Sequence, residues 1–344
     1  MKVSFGQIDR VALFGGSWLM AALCRRLVGR DLDLMLFTGP RHLDDPVEKD
    51  GTTLRQIVEQ LRISYCSTDE VNAEPALVSF VTPSTLGLAL GAAWVFGKEL
   101  VARFNGRLLD FMGIALPQYR GGAHYTWQIL RKNRQGCCNL QVIHGGVETF
   151  HQGEIIKRKE YFFPAGARIP QDYFDAAIPH ELAFLEEFFD EVGRGEGFEL
   201  RPLQESFSSY FPFLYTPRHG FVDWRWSTEE IERFICAFDR PYAGASTFVN
   251  GQRVYLKSCH AEYSDGAFHP FQVGLVYRKR DNALFVATRD GTVVVKQVLD
   301  EEGLDILAQV EPGQRLYTPQ RYLEAAMTFQ AVYDPEGIQE GRQT

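Results

Sequence analysis

The sequence predicts an α/β fold: a doubly wound, mostly parallel sheet, followed by a smaller β-rich, barrel-like unit. Residues 10–165 alternate short apolar runs with helical patterns, and strands that alternate with helices assemble into a largely parallel sheet. Beyond residue 222 the pattern changes to one helix and several strands, including a turn at Asn250-Gly251 of the type that closes tight hairpins. The 344 residues, 45% hydrophobic and 23% charged, supply core enough for two domains or for one large domain with an appendage.

RVALFG is a buried strand entering a glycine turn, SWLMAALCRRLVG an amphipathic helix closed by Gly29, and DLDLMLFTG a second strand closed by Gly39. TTLRQIVEQLRI repeats apolar residues near the helical period, and Ala76 to Val81 reads as a further buried strand. LVARFNGRLLDFMGIAL contains a helix end, a turn at Asn105-Gly106 and an apolar strand; a helix from Ala123 to Arg131 and the strand NLQVIH follow. Residues 170–192 form one helical region, with HELAFLEEFFDEV its clearest amphipathic part. The expected boundaries are a first domain over 1–200, a linker rich in aromatics, Pro and Ser over 201–220, a second domain over 221–330 and a tail over 331–344, disordered from Asp334 onward.

No apolar run approaches the roughly 18 residues that span a bilayer. The start, MKVSFGQIDRVALFGG, lacks an apolar signal core with a small-residue cleavage site, so a cytoplasmic protein with no membrane partner is expected. The net charge of −8 argues against a large phosphate-binding surface, because nucleic-acid binders cluster Lys and Arg to exploit counterion release. Six cysteines form no CxxC pair and, mostly flanked by apolar residues, read as reduced core thiols. The histidines offer no paired spacing, so no metal site is expected. Gly15-Gly16 follows the first strand, but GGSWLMAA fits neither a dinucleotide fingerprint nor a Walker loop, and no GxSxG elbow occurs.

The stretch DFMGIALPQYRGGAHYTW carries the functional question. An apolar strand ends through Leu116-Pro117 in a glycine-broken loop before a helix, where α/β enzymes keep catalytic groups. LPQYRGG, then TWQIL, then HGGVETFHQGEII, resembles the formyltransferases that use formyltetrahydrofolate. That family includes methionyl-tRNA formyltransferase, glycinamide ribonucleotide transformylase and the sugar N-formyltransferases. Its strand end reads N-x-H-x-S-x-LP-x-x-RG, with G-V/L-D-T-G-x-I further on. The resemblance covers residues 8–300: RVALFGGSWLMAALCRRLV resembles the opening strand and helix, ALGAAWVFGKELV the segment lining the folate pocket, and YTPRHGFVDW with FICAFDRPYAGASTFVNGQRV the start of the C-terminal domain. It implies a formyltransferase-like Rossmann variant with a small C-terminal β-barrel (OB-like), formyltetrahydrofolate as formyl donor and an amine as acceptor.

In such a site an amine attacks a formyl carbon, an oxyanion forms and the nitrogen loses a proton. The family meets this with an asparagine and a histidine on the strand end and an aspartate from a neighbouring loop. Aligned on Leu116-Pro117, the asparagine position holds Asp110, the histidine position Met112 and the serine position Ile114. The aspartate position holds Glu148, Phe150 stands where a glycine follows, and extra residues surround His151 and Gln152. A thioether neither donates a proton nor stabilises an oxyanion.

Three readings stay open. Formyl transfer to a small-molecule amine persists, with Asp110 and Glu148 as unlike carboxyls across the pocket and His144, His124 or His151 supplying an imidazole. Alternatively the site runs different chemistry on a related ligand, or the chain binds a folate, an acyl-amine ligand or a protein partner without turnover. The resemblance also implies that Ile114, Leu116, Pro117, Arg120 and Gly121 shape the pocket, and that Trp94, Phe96, Gly146 and Val147 contact the folate. Tyr119, Tyr125 and Trp127 are candidates to stack on a pterin or to pack the helix. Residues 215–344 hold 14 Lys and Arg against 18 Asp and Glu, a net of −4, which favours an amino sugar, amino acid or peptide-like amine over tRNA. The acceptor's identity and the oligomeric state stay open.

Overall fold

The structure, a computed structural model, describes residues 2–48, 50–122, 124–146, 152–334 and 337–339. Five runs form parallel strands: β1 (Arg10–Gly15), β2 (Asp33–Thr38), β3 (Ser64–Ser67), β4 (Thr85–Leu90) and β5 (Leu108–Met112). Two antiparallel strands, β6 (Gln135–Val142) and β7 (Ile155–Phe162), extend one edge, giving the order β3-β2-β1-β4-β5-β6-β7. All of β4 is buried, as a strand covered on both faces should be.

Local signals set the helices. In α1 (Trp18–Leu27) the Ser17 hydroxyl accepts from the Met20 amide, and α2 (Leu54–Gln60) opens on a capping box of Thr53 and Gln56. Ala76 to Val81 corrects the sequence reading: it belongs to a helix, α3 (Pro75–Phe80). Pro75 occupies the first turn and the Glu74 carboxylate accepts from the Ala76 amide, two start signals that outweigh an apolar run whose periodicity is ambiguous. The buried strand of this region is β4 instead. After α4 (Lys98–Phe104), Asn105 (φ 47°) and Gly106 (φ 77°) make the expected turn into β5. Next come α5 (His124–Leu130) and α6 (Pro170–Gly193); α6 packs Phe184 against Phe111 of β5, ring centroids 6.1 Å apart.

Within residues 201–220, Arg201 bridges to Ile155 of the first sheet, and Tyr210–Phe211 pairs in parallel with Arg120–Gly121 as a separate two-stranded sheet. The second sheet follows α7 (Thr228–Ala237). Its strands β8 (Ala245–Val249), β9 (Gln252–Glu262), β10 (Val276–Arg280), β11 (Ala283–Ala287), β12 (Thr292–Leu299) and β13 (Leu316–Tyr317) lie antiparallel in the order β10-β11-β12-β9-β8-β13. Val249 pairs with Gln252 across Asn250 (φ 51°) and Gly251 (φ 81°), the two-residue hairpin read from the sequence. The sheet curls on itself, with the Val276 amide donating to the Gln314 carbonyl and the Leu316 amide to the Gly274 carbonyl. Past α8 (Gln320–Thr328), Val332–Asp334 pairs with Gly337–Gln339, so the stretch expected to be disordered contains a short hairpin; Val332, Tyr333 and Ile338 are residue types that favour strands. No helix among the described residues is long and apolar enough to cross a membrane.

Candidate active site

Along β5 the period-2 alternation sends Asp110 and Met112 to one face and Phe111 to the other. The register sets Asp110 opposite Gln141 and Met112 opposite Asn139, so two buried amides share the Asp110 face. Asn139 Nδ2 donates to the carbonyls of Met112 (3.2 Å) and Ile114, and Gln141 Nε2 donates to the Gly153 carbonyl at 2.6 Å. From β7, Arg158 Nη1 donates to the Leu116 carbonyl at 2.7 Å. Side chains of β6 and β7 therefore fix the strand end. Sequence reading missed Asn139 and Gln141, although two amides spaced by two in an apolar strand were the available signal.

Asp110 is half-buried, and burial pushes its carboxyl from 3.8 up to about 7. A substantial fraction thus stays protonated at neutral pH. Met112 packs on a small apolar cluster of Ile114, Leu116 and Ile155, beside Tyr119 and Leu203. His144 pairs through Nε2 with Glu154 Oε2 at 2.8 Å, and its ring is about half exposed. Partial burial raises the Glu154 carboxyl, but hydrogen bonds from its own backbone and from His144 prevail and hold it below its usual range. Val147, Glu148 and His151 lie outside the described residues, as does the side chain of His124.

Ala89, the register partner of Asp110, is followed by the last residue of β4, so the loop over 91–97 leaves the sheet beside the candidate acid. Asn72 clamps that loop: the Gly97 amide donates to its Oδ1 at 2.6 Å, and its Nδ2 donates to the Val95 carbonyl at 3.1 Å. The Gly146 amide donates to the Phe96 carbonyl at 2.8 Å. A cleft of about 440 Å³ opens here, lined by Asn72, Gly97, Lys98, Glu99, Leu100 and Gly146. Of the residues expected to contact a folate, Gly146 lines this cleft. Trp94 and Phe96 are buried with Phe14 and Phe37, and the Trp94 indole donates to the Asp69 carbonyl at 3.1 Å.

The LPQYRGG turn is held by its own chain. Arg120 forms a two-point ion pair with Glu205, both contacts 2.6 Å, and donates to the Ser208 hydroxyl at 3.0 Å. Gly121 has φ +98°, and a Cβ there would fall on the Phe211 carbonyl. Tyr119 stacks on Phe211 at 5.1 Å, the Trp127 indole donates to the Pro212 carbonyl at 2.9 Å, and Tyr125 is buried in the core. Behind the strand end, Gly113 leaves room for Glu181 of α6, whose Oε1 would lie 2.5 Å from a Cβ at that position. The Tyr125 hydroxyl donates to the same oxygen at 3.3 Å, and burial, against that hydrogen bond, pushes Glu181 up to about 7.

Residues 215–309 match the model of the formyl transferase C-terminal domain. The chain is 36% identical over 188 residues to a methionyl-tRNA formyltransferase of Pseudothermotoga lettingae, covering 53% of this chain and 57% of that protein. It is 24% identical over 195 residues to one of Ruminiclostridium cellulolyticum, covering 55% and 58%. Over these stretches the chain is homologous to formyltransferases. These alignments span little more than half the length of either relative. An N-formyltransferase from Helicobacter canadensis, solved with folinic acid and dTDP-3-aminofucose, superposes with a TM-score of 0.61 at 14% identity over 85% of this chain and 100% of that one. HypX from Aquifex aeolicus with tetrahydrofolic acid superposes with a TM-score of 0.55 at 19% identity over 88% and 46%. At these identities the likeness establishes the fold alone, and the chemistry rests on the chain's own residues.

Proposed function

We propose that this formyltransferase homologue moves a formyl group from formyltetrahydrofolate to the amine of a small-molecule biosynthetic intermediate, with Asp110 and Glu148 replacing the family's asparagine, histidine and aspartate. The observation that carries this reading is Asp110, which stands at the asparagine's position near the end of β5 with a carboxyl pushed up to about 7. Protonated, it is close to isosteric with asparagine and donates to an oxyanion as the amide would. Glu148 accepts the proton released by the attacking nitrogen, and His144, oriented by Glu154, relays it onward. Met112 supplies shape and no proton.

The folate is assigned to the cleft beside the loop over 91–97, whose backbone Asn72 pins; two fold relatives were solved with folinic acid and tetrahydrofolic acid. The net of −4 over residues 215–344 favours a small amine over the tRNA named for the curated relatives. On this reading residues 1–200 are the catalytic domain and 221–330 an OB-like barrel. One observation favours a second reading, a relative that binds folate without turnover: the family's histidine position is filled by Met112, packed in an apolar cluster.

Titration with folinic acid tests the requirement both readings share. Saturable binding is expected, and no binding would sink the folate assignment. Mass spectrometry of amino sugars, amino acids, peptide-like amines and methionyl-tRNA, incubated with formyltetrahydrofolate and the protein, then decides. Gain of one formyl group on a small amine supports turnover, and gain on the tRNA alone overturns the acceptor class.

A further inference from the structure

Two thiols far from the candidate site in the chain stand together with a cation beside them. Cys236 on α7 and Cys259 on β9 are each 5% exposed, and their sulfurs are 4.0 Å apart. Arg168, from the segment before α6, donates through Nη2 to Cys236 Sγ at 3.6 Å and to the Cys259 carbonyl at 3.0 Å. The same guanidinium pairs with Glu232, and the Arg168 side chain is 47% exposed, so it brings positive charge from the solvent side to a buried sulfur. A guanidinium there stabilises negative charge as it develops on Cys236. The Cys259 thiol donates to the Glu232 carbonyl at 3.6 Å. Its contact with Cys236, together with burial, pushes it well up, so it keeps its proton until a partner sulfur is presented.

We propose that Cys236 and Cys259 form a site of reversible oxidation that takes hydroperoxides and closes to a disulfide stapling α7 to β9. The Cys236 sulfur attacks the terminal peroxide oxygen; the O–O bond breaks, the thiol proton leaves with the alcohol, and a sulfenic acid remains. The Cys259 sulfur then attacks the sulfenic sulfur; the S–S bond forms, the S–O bond breaks, and the Cys259 proton leaves with that oxygen as water. Two thiols lose two electrons and the hydroperoxide gains them. Bonded sulfurs stand about 2.05 Å apart, so the two sulfurs approach each other from 4.0 Å as the bond forms.

The test exposes the full chain to tert-butyl hydroperoxide, then denatures, alkylates and maps it by mass spectrometry without reduction. The peptides carrying Cys236 and Cys259 should be found joined, with Cys24, Cys66, Cys137 and Cys138 still alkylated, and dithiothreitol should restore both thiols. Cys259→Ser should stop at a sulfenic acid on Cys236 that dimedone traps. Arg168→Met, with its circular dichroism unchanged, should cross-link several-fold more slowly, and an unchanged rate would overturn the part given to Arg168. Recovery of Cys236 and Cys259 both alkylated after oxidant, or a link through Cys137 or Cys138 instead, would overturn the site.

Discussion

Asp110 and Glu181 are both carboxyls that burial pushes up to about 7, and they stand on two sides of one strand end. Asp110 belongs to β5, shares its face with Met112, Asn139 and Gln141, and lies beside the start of the loop that shapes the cleft. Glu181 comes from α6, fills the space left by Gly113 and takes the Tyr125 hydroxyl. On the proposed reading the first acts on a ligand, whereas the second packs against Gly113 and Tyr125. A shifted pKa alone does not separate them. Strand register and the LPQYRGG motif do.

The widest separation should come from activity. Asp110→Ala is expected to lower formyl transfer by about 10²-fold or more, the cost of losing one oxyanion donor. Glu181→Gln, which keeps the shape and the contact with Tyr125, should stay within about threefold. Equal losses in steady-state kcat for the two variants would break the comparison.

Next come the glycines that make room on either side. Gly121→Ala puts a Cβ on the Phe211 carbonyl at a left-handed residue and should cost about 2–4 kcal/mol in urea unfolding. Gly113→Ala presses on Glu181 and should cost about 1–3 kcal/mol, with part of the loss recovered in the double variant with Glu181→Ala. Failure of that recovery would argue that Glu181 does not fill the Gly113 space.

The pH dependence of stability sharpens the pair further. Both carboxyls are raised on folding, Asp110 from 3.8 and Glu181 from 4.5, each to about 7. The folded state then binds more protons than the unfolded state, so their contribution is fully present below about pH 4 and is lost as pH rises towards 7. Asp110→Asn and Glu181→Gln should each flatten this decline in the unfolding free energy between pH 4 and 7. The smallest effect on that free energy is expected at Arg194→Met, because Arg194 and its partner Glu196 are 59% and 49% exposed and a pair so screened by water contributes little.

Much of this was legible in the sequence. RVALFG, the helix after it and Asn250-Gly251 each carry a local signal, strand burial, a cap or a positive-φ turn, and each folds accordingly. LPQYRGG marked the strand end because a turn with this geometry constrains its own residues. What stayed hidden depends on partners distant in the chain. Ala76 to Val81 is apolar enough for either state, and the Glu74 cap decides it. Tyr119 and Trp127 look free to stack on a ligand until residues 211 and 212 are seen to cover them. Glu181 reads as one more charge on an amphipathic helix, and only its contact with Gly113 buries it.

On the proposed reading a protonated Asp110 donates to the oxyanion in place of the asparagine of the formyltransferases. The most direct measurement is the pH–rate profile of formyl transfer, from pH 5 to 9, for the native chain and for Asp110→Asn with the acceptor identified by mass spectrometry. The native rate should fall as pH rises through about 7, while Asp110→Asn should retain activity within about tenfold and lose that fall, because its amide donor does not titrate. Matching profiles for the two proteins, or a native rate that climbs through the same range, would contradict the assignment.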